Sequence, residues 1–258
     1  MIHWTEAQLL EYLSRFLWPL LRTGAFIMAM PVFNSHSVPV RVRVIMAVTL
    51  CWIVAPTLES VPVLDMLGFS AILVAMREVL IGMAMGFIMQ MAFAALIFAG
   101  QSIAYSMGLG FASMIDPQLG VQVPIISQAY LLFATLVFLA ANGHLVLIEM
   151  ISASFHTLPV VMESLAREDL WTIVRWSATV FIGGVLLSLP IVVTLLFVNI
   201  AFGIATRAAP QLNIFSVGFP VTLMLGLAMV WVTFPAVLHR FSLSLPAAYE
   251  LIAKLLRL

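Results

Sequence analysis

The sequence is short of charge, and the charges it has leave long stretches with none. Asp, Glu, Lys and Arg make up 9% of the 258 residues, and none of them lies in 79–115, 117–148, 176–206 or 208–239. Each of those runs exceeds the roughly 20 apolar residues that cross a bilayer core. A water-soluble domain must present a wetted face and does not go so far without a charge. The single cysteine, Cys51, excludes an internal disulfide and a cysteine-cluster metal site. Its expected state is that of a small buried apolar side chain. Eleven bases balance eleven acids. The cations stand alone or in pairs such as Arg41 and Arg43, never in the tracts that hold a nucleic-acid backbone.

Catalytic patterns are equally scarce. No Gly-x-Ser-x-Gly elbow occurs, and no glycine-rich phosphate loop. His3, His36, His144, His156 and His239 never fall at i,i+3 or i,i+4 of one another, so no metal site is expected. His144, directly after Asn142 and Gly143, reads as part of a helix-end turn. Neither an enzyme nor a cofactor is expected. The first eleven residues carry two acids and no cation, unlike a secretory signal. Thr5 can cap the amide of Gln8 while Trp4 packs on Leu9, a helix start.

What the chain has in abundance is apolar residues, 64% of the total. Six hydrophobic segments stand out, near 13–33, 44–64, 79–107, 124–148, 174–203 and 213–238. They are rich in Leu, Met, Ala and Phe without strict alternation, which favours helices over a β-barrel. The expected fold class is an all-α membrane protein whose segments form kinked hairpins. A wetter stretch, 149–170, holds four acids and Arg167 and separates a half at 1–148 from a half at 171–258. Residues Pro246 to Leu258 read as a short amphipathic tail, with Glu250 and Lys254 paired at i,i+4. Lys and Arg are more frequent on the side that would carry both ends of the chain, which places both termini in the cytoplasm.

Some features do not suit six plain spans. Arg22 lies inside the first segment, and Arg77-Glu78 opens the third. A single helix over 79–115 would extend about 55 Å, nearly twice the hydrocarbon thickness. Pro190, Pro220 and Pro235 interrupt the last two segments. Helices with kinks and internal charges line cavities or pack on other subunits more often than they face lipid. Arg77, Glu78 and Arg207 are therefore assigned to inter-helix or inter-subunit pairing. Gly82-x-x-x-Gly86 suits close helix approach, though chance spacing explains it equally well.

Two short stretches repeat weakly. Gly110 to Gly120 aligns without gaps to Gly203 to Asn213, sharing Gly, Ala and a Pro-Gln-Leu run. Both are expected to be hairpin tips, with Pro117, Pro210, Gln211 and Asn213 at the turns. Overlapping the first, Tyr105 to Asp116 holds Met107, Gly108, Gly110, Phe111, Met114 and Ile115, a flexible yet apolar sequence. A boundary loop covered by water should be polar. This one either closes an aqueous path with soft, deformable side chains or is a helix end buried against a neighbour.

Together these residues resemble the FliR family of flagellar export proteins. The likeness is carried by Pro31, Pro39 and Arg41, by Arg77-Glu78 with Gly82 and Gly86, and by Gly100-Gln101, Gly108 and Pro117. Its most specific part is Arg207-Ala-Ala-Pro-Gln-Leu-Asn-Ile-Phe215 followed by Gly218-Phe-Pro220. Val221 departs from it, standing where a Lys is expected. The resemblance implies a core gate subunit of a bacterial type III secretion apparatus in the inner membrane at the flagellar basal body. It implies assembly into a helical, pore-forming complex with the sister subunits FliP and FliQ and with FlhB, and passage of unfolded export substrates. It further implies a FliP-like first half, a FliQ-like second half, and a plug from the loop around 106–118. The rival reading is a small multipass permease with a polar pocket near mid-membrane. An intramembrane enzyme would need a buried catalytic pair, and none is visible.

Overall fold

The computed structural model describes residues 6–34, 38–58, 68–110, 125–160, 166–208 and 214–258; side chains are described for these apart from 6–9, 11 and 214–216. Regular structure among them is helical throughout. The first helix, α1 (Glu6–Ala29), runs through Pro19, and the Thr23 hydroxyl donates to the Pro19 carbonyl at 2.9 Å. Helix α2 (Val40–Val54) begins after Pro39 and gives way to a 3₁₀ turn, Ala55–Thr57, at Pro56. The expected segment 44–64 thus stops early, because a proline inside a helix has no N–H to give.

Helix α3 (Phe69–Ser106) is 38 residues long. It is followed by α4 (Ile125–Ala140) and α5 (Gly143–Thr157). The apolar run at 124–148 is therefore two helices and not one. Asn142 breaks it in the left-handed region, φ 56° and ψ 23°, a conformation that Asn tolerates better than most residues. The short α6 (Arg167–Trp176) has Glu168 and Asp169 in its first turn and Arg175 in its last, as the helix dipole favours. Helix α7 (Ala178–Ala208) continues through Pro190.

The last helix, α8 (Ile214–Leu256), has 43 residues and includes Pro220, Pro235 and Pro246. The tail expected as a separate helix from Pro246 is its C-terminal part. Each proline costs one hydrogen bond. An apolar setting offers no water to satisfy a wholly broken backbone, so the helix persists across them.

Four described helical stretches are long and apolar enough to cross a membrane: Val40–Thr57, Phe69–Ser106, Arg167–Ala208 and Val217–Leu256. The broken pair α4 and α5 makes a fifth if it counts as one span. Helix α1, with Glu6, Glu11, Arg15 and Arg22, is not among them. The chain is a multipass all-α membrane protein.

The residues fall into two compact units that interleave along the chain: 1–91, 141–176 and 246–258 form unit 1, and 92–140 with 177–245 form unit 2. In unit 1, α1 and α2 make a hairpin whose core includes Trp18, Phe26, Ala47, Cys51 and Val54. The Cys51 thiol is fully buried and donates to the Phe16 carbonyl at 3.2 Å. Helix α3 packs on α1 through Gly82 and Gly86, where an added Cβ would run into the Arg22 carbonyl and the Ala29 side chain. In unit 2, aromatic rings meet edge to face. Phe93 lies 5.8 Å from Phe138 and 5.0 Å from Phe241, centroid to centroid, and Phe98 lies 5.7 Å from Phe181. Gly100 faces the backbone of Ser127, whose hydroxyl donates to the Ile97 carbonyl at 3.0 Å.

Candidate functional site

Unit 1 holds a charge cluster at zero exposure. Arg22 on α1 and Glu78 on α3 face each other: Nε reaches one carboxylate oxygen at 2.7 Å and Nη2 the other at 3.0 Å. This two-point fork is the strongest form of the pair. The rest of the guanidinium is turned to the end of α5. Nη1 donates to the Ser154 carbonyl (2.9 Å) and hydroxyl (3.0 Å), and Nη2 donates to the Leu158 carbonyl at 2.9 Å. All five N–H donors of Arg22 are thereby used. The Phe155 ring lies 4.2 Å from the guanidinium carbon, a cation–π distance. Carbonyls at a helix C-terminus carry partial negative charge; that of Ser154 also accepts from the Leu158 N–H at 2.9 Å, so Arg22 is its second donor. Arg22 satisfies that end of α5 and binds it to α1 and α3.

The cluster corrects an omission in the sequence-based pairing. Glu78 and its neighbour Arg77 were singled out there. Arg77 is buried, 7% exposed, but the residue forked on Glu78 is Arg22, 56 positions earlier. A signal existed: Arg22 is the lone cation deep in the first apolar segment, and Glu78 the one acid at the edge of the third. A buried cation in such a chain needs an acid. Ser154 and the Leu158 carbonyl carried no signal, since their role depends on where α5 ends. Arg207, the third residue expected to pair, is exposed in the last turn of α7.

A second constellation lies in unit 2, at the end of α3. Gly108 has φ +84°. Its N–H bonds to the Tyr105 carbonyl and the Leu109 N–H to the Ala104 carbonyl, both at 3.0 Å. These two bonds make a Schellman ending, with glycine at the one left-handed position. A side chain on Gly108 would be strained by that φ and would meet the Phe219 ring at 3.2 Å. Gly110 packs against the Tyr105 ring, 2.8 Å from where its Cβ would stand. Met107 is fully buried and fills the notch left by the missing side chain of Gly226 on α8. Its Cγ, Cε and Sδ lie 2.6–2.9 Å from the Cβ position there. Met107 thus packs on α8 within unit 2. Phe111, Met114, Ile115 and Pro117 lie outside the described residues, as do Pro210, Gln211, Asn213 and the Thr5 cap. Phe219 and Gly226 were missed because an isolated glycine in an apolar helix does not name its neighbour.

The long helices of unit 2 expose large apolar side chains. Trp231 is 83% exposed, and Val232, Met224, Phe197 and Ile204 are all well over half exposed. Lipid or apolar protein, and not water, is the solvent for such a surface.

Comparison with known proteins agrees on one family. Residues 13–246 match the family described as bacterial export proteins, family 1. The chain is 38% identical over 239 residues to the flagellar biosynthetic protein FliR of Escherichia coli strain K12, covering 92% of this chain and 90% of that one. It is 35% identical to the Pectobacterium carotovorum protein of the same name, with the same coverage. Its identity to the Bacillus subtilis protein is 32% over 252 residues, 95% of this chain and 97% of the other.

Proposed function

Because the chain belongs to the bacterial export proteins, family 1, we propose that it is a core gate subunit of a flagellar type III export apparatus. It helps to wall and close a channel through which unfolded substrates leave the cytoplasm. The observation that carries this reading is the match over residues 13–246 to export proteins, at nearly full length on both sides. In the same reading the chain sits in the inner membrane with sister subunits of the FliP and FliQ kind and with FlhB. Its halves at 1–148 and 171–258 are like the first and the second of those sisters, joined through 149–170. The exposed apolar faces of α7 and α8 are the surfaces such neighbours would cover.

Closure is assigned to the stretch that starts at Met107 and includes Gly108, Gly110, Phe111, Met114 and Ile115. Arg207 and the tips at Pro117, Pro210, Gln211 and Asn213 are assigned to contacts with the sister subunits. A permease would want its buried charges open to a polar pocket near mid-membrane. Arg22 and Glu78 are instead closed on each other and on α5, which supports a structural use of charge.

The closure assignment is tested in cells that carry the chain as their sole export protein of this family. Gly108→Val demands a left-handed valine beside Phe219. Motility and secretion are expected to fall at normal subunit levels, and normal export would overturn the assignment. Replacing Met107 and Phe111 together by Ala is expected to make resting cells leak ions. An unchanged membrane conductance would remove both residues from the seal.

A further inference from the structure

Helix α6 exposes an apolar stripe beside the charged residues Arg167, Glu168 and Arg175. On its outward side Leu170, Trp171 and Val174 are 46%, 56% and 55% exposed. Ile173 is buried, and Asp169, on the opposite side, is turned back to accept from the Ala166 N–H at 2.8 Å. The outward apolar stripe is flanked by Arg167 and Arg175, both exposed. The Arg175 guanidinium carbon lies 5.7 Å from the Trp171 ring centroid. Beside the stripe runs a groove of about 400 Å³, lined by Arg167, Glu168, Leu170, Trp171 and Val174.

Three things point to the occupant. First, a single residue, Ser177, separates α6 from α7, and α6 and α7 together form one of the membrane-crossing candidates. By chain continuity α6 stands where a span meets its boundary. Second, tryptophan and arginine with apolar bodies and polar tips are the side chains that settle at the headgroup level. Third, the arginines border an apolar stripe. That arrangement lets their stems lie along acyl chains while the heads reach phosphate.

We propose that α6 is the headgroup-level end of the span that α7 continues, with Leu170, Trp171 and Val174 in the headgroup–acyl boundary of a phospholipid bilayer and Arg167 and Arg175 reaching the phosphates. It anchors the start of α7 at a fixed depth. This goes beyond the gate reading, since it holds for the chain in a bilayer whatever the chain transports.

The sole cysteine makes the test direct. In a Cys51→Ala background, nitroxide labels are placed one at a time at Leu170→Cys, Val174→Cys and Glu168→Cys. The full chain, with any subunits that copurify, is reconstituted into phosphatidylethanolamine–phosphatidylglycerol vesicles. Accessibility to oxygen and to a water-soluble nickel chelate is then measured. The expected result is an oxygen-to-nickel ratio several-fold higher at 170 and 174 than at 168. Equally low ratios at all three sites mean that water covers the stripe, equally high ones that α6 lies wholly among acyl chains, and either overturns the proposal. Immobile labels at 170 and 174, reached by neither collider, mean that protein covers it and overturn it equally. The two apolar sites read the same face, so failure of one variant to fold leaves the other to decide.

Discussion

Unit 1 keeps a guanidinium and a carboxylate at its centre, whereas unit 2 is held by rings and by side chains that are missing. The contrast is written into the distribution of charge. Of the 22 charged residues, all but Asp116, Arg207 and Arg240 belong to unit 1. In an apolar solvent, burying a Leu or a Phe gains less than it would from water, since lipid tails are as apolar as the protein interior. Helix contacts must then be specified by directional bonds or by tight shape. Unit 1 adds the first to its close contacts at Gly82 and Gly86: one Arg with five acceptors fixes the positions of three helices at once. Unit 2 uses the second: edge-to-face rings at 5.0–5.8 Å and backbones brought together at Gly100 and Ser127.

The largest expected effect tests the charged centre. Glu78→Ala leaves the Arg22 guanidinium buried with its fork unfilled, and removing one partner of a buried pair costs about 3–5 kcal/mol. Arg22→Met should do comparable damage by stranding the carboxylate. The double variant, Arg22→Met with Glu78→Met, removes both charges and should recover much of the loss, though α5 would still lack its donor. Thermal unfolding of the purified protein in one detergent measures all four species. If the two single losses simply add in the double variant, the pair does not act as a unit, and the contrast between the units fails at its strongest point.

Next come the close approaches that both units share. An added methyl at Gly82 would strike the Arg22 carbonyl in unit 1, and one at Gly100 would stand 2.6 Å from the Ser127 Cα in unit 2. Backbone cannot step aside as a side-chain tip can, so each Gly→Ala change is expected to cost about 1–3 kcal/mol by overpacking. The comparison sharpens when each is combined with Glu78→Ala. Gly82→Ala moves the residue that carries the guanidinium and should couple to Glu78→Ala, whereas Gly100→Ala should add to it independently. Equal coupling at both glycines would show that the two units do not keep separate stabilities.

How much of this was legible in the sequence follows the same division. The helical class and the apolar segments could be read from the charge-free runs, because a backbone in lipid has few other ways to satisfy itself. The close packing at Gly82 and Gly86 was readable as a motif but not as a contact, since spacing shows a face without naming what lies on it. Arg22 was visible as an anomaly. Its acceptors were not, because the Ser154 and Leu158 carbonyls become ligands only where α5 happens to end. Prolines misled in one direction. Pro246 looked like the start of a separate tail, yet α8 passes through it, as apolar surroundings penalise a full break more than one lost bond. In unit 2 the left-handed turn at Gly108 was foreshadowed by glycine in an apolar stretch. Its clamp, Phe219 over the turn and Met107 in the Gly226 notch, depends on a helix more than a hundred residues later.

The smallest expected effect separates a backbone contact from a side-chain one inside unit 2. At Gly226 all the near neighbours of an added methyl belong to the Met107 side chain, at 2.6–2.9 Å. Methionine has three rotatable bonds and a soft sulfur and can withdraw. Gly226→Ala is therefore expected to cost under about 1 kcal/mol, well below Gly100→Ala in the same unit. Met107→Ala empties the notch and should cost about 2–5 kcal/mol, as buried Met→Ala changes do. In the Met107→Ala background the added methyl at Gly226 occupies vacated space, so its effect should turn from mildly destabilising to neutral or favourable, a coupling above about 0.5 kcal/mol. Unfolding midpoints of the four proteins in a common detergent decide it. A Gly226→Ala loss as large as that of Gly100→Ala, unrelieved by shortening Met107, would mean that the notch is closed by rigid backbone and that Met107 does not hold the end of α3.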